Sequence, residues 1–261
     1  MNSTTPSQIN SVVRFLSLSA LLLLFVSSSR AGVIYNGTLN APGDQFNYSL
    51  SNSTLTLSNN STSITGVWNR TVGQSGNNYF VMYLDTESGG HSSTSALTSD
   101  SFNSYTASVT ALGTVTSNRT NVTFASGFEA DYAIAFAPAS TSDSAFKLKS
   151  DGSLLYQGNA ARANMGDNFT FDINFSQLGL PDYTGTPFSF DFVVTYFDPN
   201  YAYRSGEGMG GNVGFAFPLG TSTFSSFATY TVVPEPSSLA YLAAFAVIAV
   251  CVATRRNRRT V

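Results

Sequence analysis

The chain has 261 residues, 43% hydrophobic and only 10% charged, which supplies apolar material for one sizeable core and too few cations for a nucleic-acid surface. The formal net charge of −3 hides a more acidic middle, because residues 32–233 carry six basic and 14 acidic side chains, a net charge of about −8. One cysteine, Cys251, excludes an intrachain disulfide, and one histidine, His91, excludes a multi-histidine metal site. Divalent cations and uncharged glycans remain compatible with such a surface.

At the start of the chain, Arg14 precedes an apolar run from Phe15 to Val26. That length suits the hydrophobic segment of a secretory leader and is too short to span a bilayer. Ser29-Arg30-Ala31 places small residues at the two positions a signal peptidase reads, so cleavage is expected after Ala31, with residues 1–31 forming a signal helix.

From residue 32 to 232 the pattern is β. Asn78 to Leu84 is almost continuously apolar and reads as a central strand. Tyr132, Ile134 and Phe136 alternate with Ala133 and Ala135, which gives one bulky face and one small face suited to close approach by another layer. Phe169, Phe171, Ile173 and Phe175 alternate with Thr170, Asp172 and Asn174, and Phe188 to Tyr196 repeats the scheme over a longer strand. Shorter strands are expected near Asp44–Leu50, Thr62–Trp68, Ala107–Ala111, Asn121–Phe124, Ala145–Lys149, Asn212–Phe217 and Phe227–Val233. Ser51 to Ser63 reads as either a polar hairpin or a flexible loop, and Ser176–Leu178 as a single helical turn. Turn signals such as Ser88-Gly89-Gly90, Ser150-Asp151-Gly152 and Ser205-Gly206-Glu207-Gly208 separate the strands. The expected architecture is all-β, a two-sheet antiparallel β-sandwich of jelly-roll-like form.

Residues 233–261 form a different unit. Pro234-Glu235-Pro236 has two prolines that fix φ and remove backbone donors, so it favours an extended segment. An uncharged apolar run follows from Leu239 to Thr254, close to the roughly 20 residues of a transmembrane helix. Arg255, Arg256, Arg258 and Arg259 then form a basic stop that belongs on the cytoplasmic side.

Candidate chemistry in the middle is sparse. Asp85 and Glu87 at a strand end, with Asp100, supply oxygen ligands suited to Ca²⁺, without the spacing of a known calcium loop. His91 lies in a glycine- and serine-rich loop, where a solvated side chain is the ordinary state. Trp68, Tyr183, Tyr201 and Tyr203, with Arg204, are candidates for stacking on a sugar, although aromatics at loop bases more often cap a core. Arg204 and Glu207 are candidates for an ion pair. Asp172 and Asp191 would serve a glycosidase only if their strands were neighbours, and otherwise keep an outer sheet face soluble. About ten Asn-x-Ser/Thr sequons, including Asn36, Asn47, Asn118, Asn121 and Asn168, follow from the Ser, Thr and Asn richness itself.

Two resemblances follow from these residues. The order Pro234-Glu235-Pro236, apolar run, arginine cluster resembles the PEP-CTERM sorting signal of exported proteins in Gram-negative-type bacteria. That resemblance implies export, tethering to the cytoplasmic membrane, processing by an exosortase at Pro-Glu-Pro, and a final place at the cell surface or in extracellular polysaccharide. The segments Tyr79–Thr86, Gly89-Gly90, Phe124–Ala135 and Tyr203-Arg204-Ser205-Gly206-Glu207 resemble DOMON-like and carbohydrate-binding β-sandwich domains. They imply the fold more than the activity; the role expected of such an exported body is structural or adhesive, glycan binding included, with no catalysis and no obligate cofactor. The alternative is a secreted hydrolase using carboxylates.

Overall fold

Alternating phenylalanines decide where the chain buries itself. In the computed structural model, residues 32–39, 50–70, 78–99, 103–112, 119–137, 143–163, 168–200, 202–211, 213–214 and 221–233 are described. The expectations for Ala31, Asp100, Tyr201, Pro234, Glu235, Pro236 and the four terminal arginines concern residues outside that set, as do the leader and the Leu239–Thr254 run. Among the described residues no helix is long and apolar enough to cross a membrane. Gly32–Pro234 forms one compact unit.

The strands are β1 (Val33–Leu39), β2 (Thr54–Asn59), β3 (Ser63–Asn69), β4 (Tyr79–Asp85), β5 (Asn121–Thr123), β6 (Tyr132–Phe136), β7 (Asp143–Leu148), β8 (Leu154–Gly158), β9 (Ala161–Ala163) and β10 (Asn168–Asn174), followed by β11 (Phe188–Asp198), β12 (Tyr203–Met209), β13 (Val213–Gly214), β14 (Thr221–Phe224) and β15 (Ala228–Val232). A helix, α1 (Ser104–Thr110), and two short 3-10 helices, Thr94–Ala96 and Phe175–Leu178, complete the set.

Twelve strands make one curled sheet in the order β8-β7-β6-β4-β11-β12-β1-β2-β3-β10-β9, with β15 beside the first half of β11. The expected all-β, sandwich-like body is present, with its two facing layers formed by the halves of this one sheet. The joint is β1, whose residues Val33–Asn36 pair with β2 while Gly37–Leu39 pair with β12, so one strand passes from one half of the sheet to the other. A further sheet, β13-β14-β5, contains a parallel pair, β5 with β14, where only antiparallel pairing was expected.

The two halves face each other across a core of aromatic rings. Trp68 and Phe169 from one half meet Phe80 from the other at centroid distances of 4.6 and 6.2 Å, and Phe136 meets Phe171 at 4.4 Å. These separations suit attractive offset and edge-on contacts. Strand β10 shows why the sequence pattern works: Phe169, Phe171 and Ile173 are buried, while Thr170 and Asp172 are only half-buried.

A second core lies on the outer face of β4, β6 and β11. There Val81, Tyr83, Ala133, Ala135, Val193 and Phe197 pack with Leu97, Val109, Val122, Phe124, Phe128 and Phe224 from α1, the 3-10 turn and the small sheet. The alanine face of β6 is what lets this layer approach closely. It also explains why β4 lacks alternation, since both of its faces are covered.

Residues 107–110 of the expected Ala107–Ala111 strand are helical, not extended. Asn103 caps α1 by accepting from the Thr106 N–H at 2.9 Å, and Ala111 ends it in the left-handed conformation at φ 61°. Inside the layer the hydroxyls of Ser108 and Thr110 donate back to the carbonyls of Ser104 and Thr106, so both of these buried donors are used. The Ser51–Ser63 stretch is the β2–β3 hairpin.

Gly66 sits opposite Phe171 in the β3–β10 register, and a Cβ placed on it would lie 2.1 Å from the Phe171 ring. Gly66→Ala therefore forces the ring off its seat and should cost about 1–3 kcal/mol in urea unfolding. Combining it with Phe171→Leu, which removes the obstructing ring edge, should make the added methyl nearly neutral relative to Phe171→Leu alone.

Candidate functional site

Arg204 is the first residue of interest, because it is fully buried with no carboxylate bound to it among the described residues. It projects from β12 into the second core. Its Nη1 donates to Thr195 Oγ1, its Nη2 to the Tyr83 hydroxyl at 3.3 Å and to the Ser108 carbonyl at 3.5 Å, and its Nε to the Thr120 carbonyl at 3.5 Å. The guanidinium lies 4.7 Å from the centre of the Phe197 ring. Burial pulls the Arg204 guanidinium down from its ordinary value and pushes the Tyr83 phenol up, with the two groups partly offsetting each other. Tyr83 in turn donates to the Val109 carbonyl at 2.8 Å, satisfying an orphan group in the last turn of α1. The cluster thus joins β4, β11, β12 and α1. It is closed to solvent and has no face to offer a ligand.

Glu207 does not pair with Arg204. Between Thr195 and Phe197 the β11–β12 register shifts by a bulge in β12, which re-aims the side chains around Ser205–Glu207. Glu207 is fully buried and accepts from the Leu50 N–H at 2.7 Å.

The carboxylates at the end of β4 are also committed. Asp85 accepts from the Glu129 N–H at 2.8 Å. Glu87 binds Lys147 at 3.0 Å and accepts from the Tyr132 hydroxyl at 2.9 Å, and the Lys147 hydrogen bond holds its carboxyl below the ordinary range. Asp131, not among the candidates from the sequence, closes the corner by accepting from the Thr86 and Glu87 N–H groups at 2.9 and 2.8 Å. It is 5% exposed, and burial, only partly offset by those N–H groups, pushes its carboxyl up to about 6. Among the described residues no group of three or more metal-ligating side chains is gathered, so Asp85 and Glu87 brace a loop there.

The remaining candidates are dispersed. Trp68 is a core residue of β3, fully buried, with its Nε1 donating to Ser53 Oγ at 2.8 Å. Tyr203 is half-buried opposite Asp198, and Tyr183 is half-buried in a loop whose backbone is held by Ser61. His91 joins a bridge to Ala130 and donates from Nε2 to the Lys149 carbonyl at 2.8 Å. Asp172 accepts from the hydroxyls of Ser63 and Thr65 at 3.1 and 2.7 Å, and Asp191 from Thr229 at 2.5 Å. Their strands are not neighbours, since β10 lies between β3 and β9 while β11 lies against β4, β12 and β15.

One open groove, of about 390 Å³, escaped the sequence reading. It runs where β1 changes partners, lined by Ile34, Tyr35, Asn36 and Thr38 on one side and Gly210, Gly211, Ser226 and Ala228 on the other. None of these side chains carries a charge. The Tyr35 ring is steadied edge-on by Phe192 at 4.7 Å, and its hydroxyl donates to the Thr229 carbonyl at 2.9 Å. Ile34 stands 63% exposed at the rim. Such a lining suits an uncharged ligand with both hydroxyls and apolar faces. The sequence signal for it was absent because β1 reads as an unremarkable stretch.

Compared with known proteins, the chain matches no protein-family model and no curated protein.

Asp131 yields a pH prediction. Its folded value of about 6 lies above the unfolded value of 3.8, so the folded state holds an extra proton between those limits. Its contribution to stability is present at low pH and is lost as pH rises through about 6. Asp131→Asn keeps an acceptor for both N–H groups and removes the buried charge. Thermal unfolding at pH 4 to 7 should show the variant gaining on the wild type as pH rises, with the difference levelling off above the upper limit.

Proposed function

We propose that this chain is an exported surface protein, made with a signal helix and a C-terminal transmembrane helix, processed at Pro-Glu-Pro by an exosortase, and released to the cell surface or an extracellular polysaccharide matrix. The observation that carries the reading is the order of residues 234–259: Pro-Glu-Pro, an uncharged apolar run, and four arginines. The body is then a jelly-roll-like sandwich with a structural or adhesive role. Its acidic, lightly charged surface accords with neutral polysaccharide, and the uncharged groove along β1 offers that polysaccharide a place to lie. Carbohydrate rings would stack a C–H face on the rim of Tyr35 and Ile34 while their hydroxyls meet the Asn36 amide and the backbone of Gly210 and Gly211. Catalysis is not part of the reading, since Asp172 and Asp191 hold hydroxyl partners on separate strands.

Two measurements test it. In a host that carries an exosortase, wild-type protein should leave the membrane fraction at reduced mass, while Glu235→Ala should stay in that fraction at full mass; equal behaviour of the two would defeat the sorting assignment. In co-sedimentation with neutral extracellular polysaccharide, Tyr35→Ala should bind at least roughly fivefold more weakly, the loss expected for truncating an aromatic anchor. Unchanged retention would remove the groove from the account.

A further inference from the structure

The last described residue of the body, Val233, is held by a side chain instead of a neighbouring strand. Its carbonyl accepts from Asn59 Nδ2 at 2.9 Å, and its N–H donates to Asn59 Oδ1 at 3.4 Å. A primary amide presents a donor and an acceptor side by side, as a peptide group does, so one asparagine occupies both backbone groups of one residue. The amide is itself fixed. Tyr230 donates its hydroxyl to Oδ1 at 2.9 Å, and Nδ2 also donates to the Asn60 carbonyl at 3.1 Å.

Neither Asn59 nor Tyr230 has room to move. They are 6% and 1% exposed, and the Tyr230 ring packs against Phe190 at 5.6 Å. Asn59 ends β2 in one half of the curled sheet, and β15 belongs to the other half, so the contact ties the halves together where the chain leaves the body. The next residue, Pro234, has no N–H and cannot extend a ladder. Side-chain clamp and proline mark the same boundary.

A processing enzyme that takes its substrate as an extended strand needs free backbone N–H and C=O groups on it. At Val233 both are taken. We propose that Asn59 is a positioning residue for tail processing: it locks the chain through Val233 and so keeps the body up to that residue from being taken as an extended strand. The biological use of this stop rests on the sorting reading above, whereas the stop itself is a property of the fold.

The experiment uses the full chain in detergent, digested with a broad-specificity endoprotease, with the C-terminal residue of the protected body read by mass spectrometry. Wild type should end at Val233 or just beyond it. Asn59→Ala, and independently Tyr230→Phe, which removes the hydroxyl that holds the amide, should move that end upstream into β15. Asn59→Asp keeps the acceptor and loses the donor, so it should give a mixture of the two ends. The thermal midpoint of each variant is measured alongside, and Tyr230→Phe should keep a cooperative transition even if Asn59→Ala does not. An end that stays at Val233 in Tyr230→Phe and in every folded Asn59 variant overturns the proposal. The same variants are then followed in the exosortase host beside Glu235→Ala. Asn59→Ala or Tyr230→Phe should there yield products with ragged ends upstream of Pro234, and a single wild-type end in both would also overturn the positioning role. Processing that continues in Glu235→Ala defeats the sorting reading instead, and the digestion result then decides the clamp alone.

Discussion

Burial of both faces of β4 and β11 is the constraint from which the rest of this structure follows. On one face Phe80, Met82, Leu84, Phe192 and Val194 enter the aromatic core, and on the other Val81, Tyr83, Val193 and Phe197 enter the second one. A strand pair covered on both sides needs a partner layer on each. The curled half containing β2, β3 and β10 supplies one, and α1 with the β13-β14-β5 sheet supplies the other. Each buried apolar side chain contributes roughly 1.5–3 kcal/mol relative to exposure, which is how a chain without disulfides holds together.

Burying that much backbone between layers strands polar groups, and the protein meets several of them with specific partners. Arg204 reaches one tyrosine, one threonine and two carbonyls, Glu207 takes the Leu50 N–H, and Asp131 takes two N–H groups of the loop after β4. In the sequence Arg204 stands among the candidate site residues, with Glu207 as its candidate ion-pair partner. In the fold they are fasteners, placed where loops and helix ends would otherwise leave donors and acceptors unmet. The uncharged groove and the Asn59 clamp lie at the margins of this arrangement, where β1 changes sides and where β15 ends.

What could be read in advance follows the same physics. Strands with large residues on one face announced themselves: β10 and β11 by alternating phenylalanines, β6 by its bulky and small faces, β4 by an unbroken apolar run. The helix did not, because Tyr105, Ala107, Val109 and Ala111 alternate as a strand would. Strand β12 was hidden because Arg204-Ser205-Gly206-Glu207 has the composition of a turn, and only the bulge opposite Tyr196 and the buried partners make it a strand. Trp68 was misplaced at a loop, since β3 continues through Asn69 and brings the indole into the core. Sheet closure through β1 had no local signal at all, being set by which two strands happen to lie on either side of it.

The proposed role requires the C-terminal segment to be an address that is removed once the body has reached the outer side of the membrane. Its most direct test is the intact mass of the protein recovered from the surface of the native cell. A chain that begins at Gly32 and has lost the apolar run and the arginines is the predicted result. Recovery of a surface product that still carries Arg255 to Arg259 would contradict it.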